Sequence, residues 1–240
     1  MNENDKLDIF NAQTTNVRYL EKVWKHLKRE VNKSYLQNNK IAIDINTKLL
    51  IQVYCAYAEA IFSKTLHTPY GLNLDEIEQI KKIGKNNGIT NGWKKCFEIA
   101  INKIDGQRGS HKPNIKQKFN FLIDNYLYEP HLLRNKIAHG QWIKAINSEN
   151  TKNNPIVSSK LELINILDLD RFKEAFKSIY NILEDIIESP NKAHRKFYWE
   201  YIIEFETSQK IMSKWTIEEK IKALEKKKKY YKNTSTSNIN

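Results

Sequence analysis

Leu132-Leu133-Arg134-Asn135-Lys136-Ile137-Ala138-His139-Gly140-Gln141-Trp142 is the stretch from which the rest of the chain is read. It holds an Arg, then a polar Asn, then a His five positions after the Arg, and a Gly closes it. Leu132, Leu133, Ile137 and Ala138 lie between and before these polar members. Polar and charged groups among apolar neighbours cost free energy unless something pairs with them. On a helix Asn135 and His139, four apart, share one face a turn from each other. Arg134 points elsewhere on an ideal helix. Its long side chain still swings to a shared pocket when the motif opens at a helix N-terminus, and Pro130 permits such a start. A helix N-terminus would also offer free N–H groups and a positive dipole end to a phosphate.

These residue types suit one chemistry. A His titrates near neutrality and gives or takes a proton. A guanidinium holds a phosphate by two hydrogen bonds and stabilises charge that builds in a transition state. Asn orients either group. Together they fit attack of a ribose 2′-OH on its adjacent phosphate. No metal or other cofactor is called for, since His131 and His139 are eight apart, with no HExxH pattern or paired carboxylates beside them. The competing role is structural: the Arg paired to a carboxylate and the His bonded to a backbone carbonyl, tying two helices together.

Outward from the motif, the pattern is helical. Val17, Leu20, Trp24, Leu27 and Val31 predict an amphipathic helix over 14–36, capped by Thr14, Thr15 or Asn16 and broken at Gln37-Asn38-Asn39. Residues 44–66 are apolar around more than half the girth and belong at the centre. Glu59 sits inside that run between Ala58 and Ala60, either on a narrow solvent face or as a carboxylate that orients Arg134 or His139. Thr68-Pro69-Tyr70-Gly71 is a turn, 74–83 a short helix, and Gly84 to Gly88 a helix stop that lacks the Gly-Lys-Ser/Thr ending of a phosphate loop. Helix resumes over 91–104. A loop over 105–113 carries Arg108, His111 and Lys112, and Lys116 to Tyr128 is helical. After the motif, 143–168 read as a loop with a small β-hairpin. Helix returns over 169–188, Ser189-Pro190 caps another, and Thr216-Ile217-Glu218-Glu219 is a capping box for a last, basic one. Residues 233–240 are expected to be disordered.

Composition bounds the possibilities. The chain has 240 residues, 40% hydrophobic and 28% charged, enough for a core, with no apolar run near the ~20 residues of a membrane span. The polar, acidic start Met1 to Asp5 does not look like a signal peptide. Cys55 and Cys96 lie far apart without CxxC spacing, which fits a reducing compartment and a cytoplasmic protein. The net charge is +12, half of it in residues 220–232, where seven Lys face one Glu. A basic excess attracts polyanions such as RNA, although Lys richness runs through the whole chain. Lys136 and Lys144 are candidate phosphate contacts and Trp142 a candidate base-stacking group; solvated lysines and a core Trp are the plainer roles.

The Arg134-Asn135-x-x-x-His139 pattern with the following Gly140 resembles the Arg-x4-6-His signature of HEPN domains, as abortive-infection and restriction-associated members carry it. The resemblance covers residues 14–188, weakly outside the motif. It implies an all-α, HEPN-type helical bundle over 1–189 with a C-terminal helical extension over 190–232. It also implies a metal-independent endoribonuclease of a toxin–antitoxin or antiviral-defence system, a homodimer with RNA as substrate and an antitoxin or defence protein as partner. Arg134, Asn135 and His139 match the family's catalytic motif. In the family, two copies face each other across the dimer. A subgroup neutralised by nucleotidyl transfer has Tyr two residues after the His; Gln141 stands there instead, so that neutralisation is not expected. The alternatives are a catalytically idle HEPN module that binds a protein or RNA partner and, more remotely, a helical DNA-binding protein relying on the basic tail.

Overall fold

The computed structural model describes residues 1–105 and 109–237. The architecture is an all-α bundle, as expected. Its elements are α1 (Glu3–Leu36), α2 (Lys40–Leu66), α3 (Leu74–Asn87), α4 (Ile89–Asn102), α5 (His111–Ile123), a π turn (Asp124–Tyr128), α6 (Glu129–Ala138), α7 (Pro155–Leu163), α8 (Ile166–Glu188), α9 (Ala193–Met212) and α10 (Ile217–Ser237).

α2 is the spine. It buries Leu50, Ile51, Tyr54, Ala58 and Ile61, and it packs on α1, α4, α6 and α8. It starts at Lys40, four residues ahead of the expected start, because Asn39 caps it, accepting from the Ala42 N–H at 3.0 Å. The three-residue break Gln37–Asn39 folds α1 back along α2, with Asn38 at φ 50°. α1 begins far ahead of residue 14. Asn2 and Asp5 form its capping box, at 2.8 and 2.9 Å, in place of a cap at 14–16. Its first turns are anchored by a polar contact: the buried Lys6 ammonium donates to the Leu72 carbonyl at 2.7 Å.

Rings fill the centre. Phe62 stacks on Trp93 at 4.6 Å, Trp93 meets Phe176 edge-on at 5.6 Å, and Phe97 stacks on Phe119 at 3.8 Å. Gly84 proves to be inside α3 and no helix stop. It lies against Gly92 of α4, where an added Cβ would stand 3.2 Å from the Gly84 Cα, so the two helices approach backbone to backbone. The junction between them is Gly88, at φ 91°.

The expected β-hairpin is replaced by less and more. A single antiparallel bridge, Ile146 with Asn153, closes the loop, and the described residues contain no named strand. The apolar stretch 161–167 divides between α7 and α8, because Asn165 starts α8 with a capping box to Asp168. α9 packs along α8 and adds Tyr198, Ile202 and Phe205 to the same core. The capping box at Thr216 and Glu219 opens α10 as expected, with both contacts at 3.2 Å. Helical backbone continues through 233–237, which were expected to be disordered; 238–240 lie outside the described residues, as does Arg108. No described helix is long and apolar enough to cross a membrane.

Candidate functional site

Pro130 does not start a new helix. Residues 124 and 129 both hold right-handed helical backbone, so α5, the π turn and α6 form one rod. Pro130 lacks the N–H that would bond the Tyr126 carbonyl four residues back. The buried Tyr54 hydroxyl donates to that carbonyl instead, at 2.7 Å, with the Phe172 carbonyl at 3.3 Å. The consequence for the motif is a correction. Arg134 to His139 lie at the C-terminal end of a rod, where the backbone presents carbonyls and a partial negative charge. The free N–H groups foreseen for a phosphate are absent there.

The rod ends in a Schellman motif. His139 is the C-cap, Gly140 adopts φ 79°, its N–H bonds the Ile137 carbonyl at 3.0 Å, and the Gln141 N–H bonds the Lys136 carbonyl at 2.9 Å. This gives Gly140 a purely conformational reason to follow the His.

Arg134 turns towards α2 and forms a salt bridge with Glu59. Of the two places foreseen for Glu59, the structure thus puts it against Arg134. Gln52 fixes the same turn of α6 through the Arg134 carbonyl at 3.4 Å. His131 completes the cluster. It is buried, its Nδ1 bonds the Leu127 carbonyl at 2.8 Å, and its Nε2 stands 3.6 Å from Glu59 Oε1. Burial opposes charge on the ring, but the Cys55 sulfur and the Glu59 carboxylate beside it outweigh that and push its pKa up to about 10. In return His131, with Arg134, draws the Glu59 carboxyl below its usual range against the opposing effect of burial. The cluster therefore holds two cations against one half-exposed carboxylate. His131 was not singled out as a site residue. Its signal was its place three before Arg134, on the neighbouring line of the same helix.

Asn135 and His139 face solvent, and neither side chain has a hydrogen bond or ion pair with any described residue. The other foreseen contacts serve the loop. Lys136 donates to the Ile146 carbonyl, and Gln141 Oε1 accepts from the Ile146 N–H at 2.8 Å. Trp142 is half-buried against the core, while Lys144 is exposed and has no partner among the described residues. The structure thus joins Arg134 to Glu59 and His131, and leaves Asn135 and His139 together at the exposed end of the rod. A shallow groove between α1 and α2, lined by Asn16, Tyr19, Leu20, Ala56 and Ala60, opens onto Glu59. Among the described residues no three His, Cys, Asp or Glu side chains are grouped so as to hold a metal ion. Compared with family models, curated proteins and solved structures, the chain matches none.

Proposed function

We propose that this chain is a HEPN-type endoribonuclease that cleaves RNA without a metal, as a toxin or antiviral-defence effector. One observation carries the reading: His139 is exposed and has no partner among the described residues, while Arg134 and His131 of the same rod are engaged. A motif that merely tied helices together would bond its His to a backbone carbonyl. Here His131 makes that bond, to Leu127, and Arg134 makes the ion pair. His139 is left free for proton transfer, with Asn135 a turn away to orient it or the RNA.

The reaction needs two proton movements. A base takes the proton of the 2′-OH as that oxygen attacks phosphorus; an acid gives a proton to the 5′-oxygen as the P–O5′ bond breaks. The products are a 2′,3′-cyclic phosphate and a 5′-OH. One chain supplies one such His, so a C2 dimer with the two motifs at its axis supplies both. Arg134, held at the rim by Glu59, would stabilise charge on the phosphate.

A second reading is favoured by the same salt bridge. Arg134 is already neutralised by Glu59, so a catalytically idle module that binds a protein or RNA partner has its Arg explained without chemistry. Cleavage separates the two. Purified wild type should degrade RNA in EDTA and leave 2′,3′-cyclic ends, and His139→Ala should not. RNA left intact by wild type, or cut equally by both, removes the ribonuclease reading.

A further inference from the structure

α1 carries a second signal, outside the motif. Arg18, Lys22, Lys25, Arg29 and Lys33 are all exposed and recur at three- and four-residue steps. At 100° per residue they fall within a sector of about 80° and form one line about 22 Å long. From Asn11 to Leu36 that sector holds no Asp or Glu. Lys33 lies 3.9 Å from Glu30, at the sector's edge; the other four have no ion pair among the described residues.

The inboard lysine behaves differently. Lys28 is paired with Asp170 at 2.5 Å, and Asp170 also takes Lys220 of α10 at 3.3 Å. That contact seats the Lys-rich α10 against α1 on one flank of the line. On the other flank is the groove that leads to Glu59, and Tyr19 stands at its edge, 67% exposed. Like charges three and four apart destabilise a helix. A solvated face usually mixes the two signs, so an unmixed line has its best explanation in a polyanion.

We propose that the outer face of α1 is a track for the phosphodiester backbone of single-stranded nucleic acid, with Tyr19 stacking a base where the track meets the groove. A single strand fits better than a duplex, because only an unstacked base offers its face to an exposed tyrosine. RNA as the natural strand rests on the ribonuclease reading; the track itself rests on the charge line.

The test reads binding by fluorescence anisotropy, with a short labelled single-stranded RNA, in a His139→Ala background that spares the probe. Replacing Arg18, Lys22, Lys25 and Arg29 by Gln should raise Kd at least about tenfold. It should also flatten the slope of log Kd against log salt by about 3, the release expected for four phosphate contacts on a single strand. The same replacement at the exposed Lys82, Lys85, Lys210 and Lys214 removes equal charge and should change both much less. Tyr19→Ala should weaken binding about tenfold and leave the slope alone, since stacking releases no counterions. Equal losses from the two four-fold variants would overturn the track, as would tighter binding of a duplex or of anionic phosphatidylserine vesicles. Track-dependent binding by a wild type that never cleaves RNA would retire the ribonuclease reading alone. Cleavage with unchanged Kd in the α1 variant would retire the track alone.

Discussion

Replacing Glu59 by Gln removes the carboxylate that faces both Arg134 and His131. The ordinary imidazole pKa is 6.5 and that of His131 is pushed up to about 10. Each tenfold change is worth about 1.4 kcal/mol, so the whole displacement corresponds to about 5 kcal/mol. Glu59 accounts for only part of it, because Cys55 contributes too, and its side chain is 40% exposed, where solvent screens the attraction. A share of about 2 kcal/mol is reasonable, with well under 1 more from the half-exposed Arg134 pair. For a chain of this size that lowers Tm by about 4–8 °C at pH 6.5. The sign of the pH dependence is the sharper readout. A raised His pKa gives stability that is full below 6.5 and is lost as pH rises towards 10. The lowered Glu59 pKa gives stability that is present above its ordinary 4.5 and is lost as pH falls through the lowered value. Wild-type Tm should therefore decline between pH 6.5 and 10, and Glu59→Gln, which keeps the Cys55 contribution, should decline less. Thermal melts by circular dichroism across that range measure both. Parallel curves for the two proteins would refute the cluster as an electrostatic unit.

Other outcomes follow from single contacts. Gly140→Ala meets no atom within 4 Å, so it bears only the strain of φ 79°, about 1–2 kcal/mol, read as a lower Tm with the core intact. Tyr54→Phe leaves the Tyr126 carbonyl beside Pro130 without its donor and should cost about 1–3 kcal/mol in urea unfolding; an unchanged midpoint would mean that water or Pro130's neighbours satisfy it. His139→Ala removes an exposed, unpartnered ring and should leave stability within about 0.5 kcal/mol while abolishing growth arrest on expression in bacteria; a large stability loss would show the ring to be structural.

The helices were legible where apolar residues set the period. Val17 to Val31 on α1, the apolar run of α2 and the Phe172–Ile186 stripe of α8 mark the same faces in sequence and in structure. Boundaries were legible where the signal is a local pattern, as at the Gln37-Asn38-Asn39 break that ends α1 and the capping box from Thr216 to Glu219. The first eleven residues of α1 were not, because a polar anchor, Lys6 on the Leu72 carbonyl, holds them, and hydrophobic periodicity carries no trace of such a bond. Gly84 reads as a stop in sequence because its partner, Gly92, comes close only in the folded helices. The pairing of Glu59 with Arg134 was open in sequence, being one of two places for a carboxylate inside an apolar run. The spacing of His131 from Arg134 places it on the same side of α6, but its pairing with Glu59 depends on α2 lying alongside. The helix start foreseen at Pro130 failed since a hydroxyl 76 positions earlier in the chain takes over the lost donor.

The π turn at Asp124–Tyr128 has a consequence for direction. A π turn in an otherwise α-helical rod amounts to about one residue more than the α-helix would use for the same rise, and one residue is about 100° of azimuth. Everything downstream is rotated by that amount. Arg134 meets Glu59, and Asn135 and His139 meet water, because this phase has been added upstream of them. Removing one residue between 124 and 128 would leave the letters and spacing of the motif untouched and turn it by about a quarter of a revolution. The aim of the motif is thus dialled by a coil defect outside it, held in place by Pro130 and by a tyrosine from the neighbouring helix.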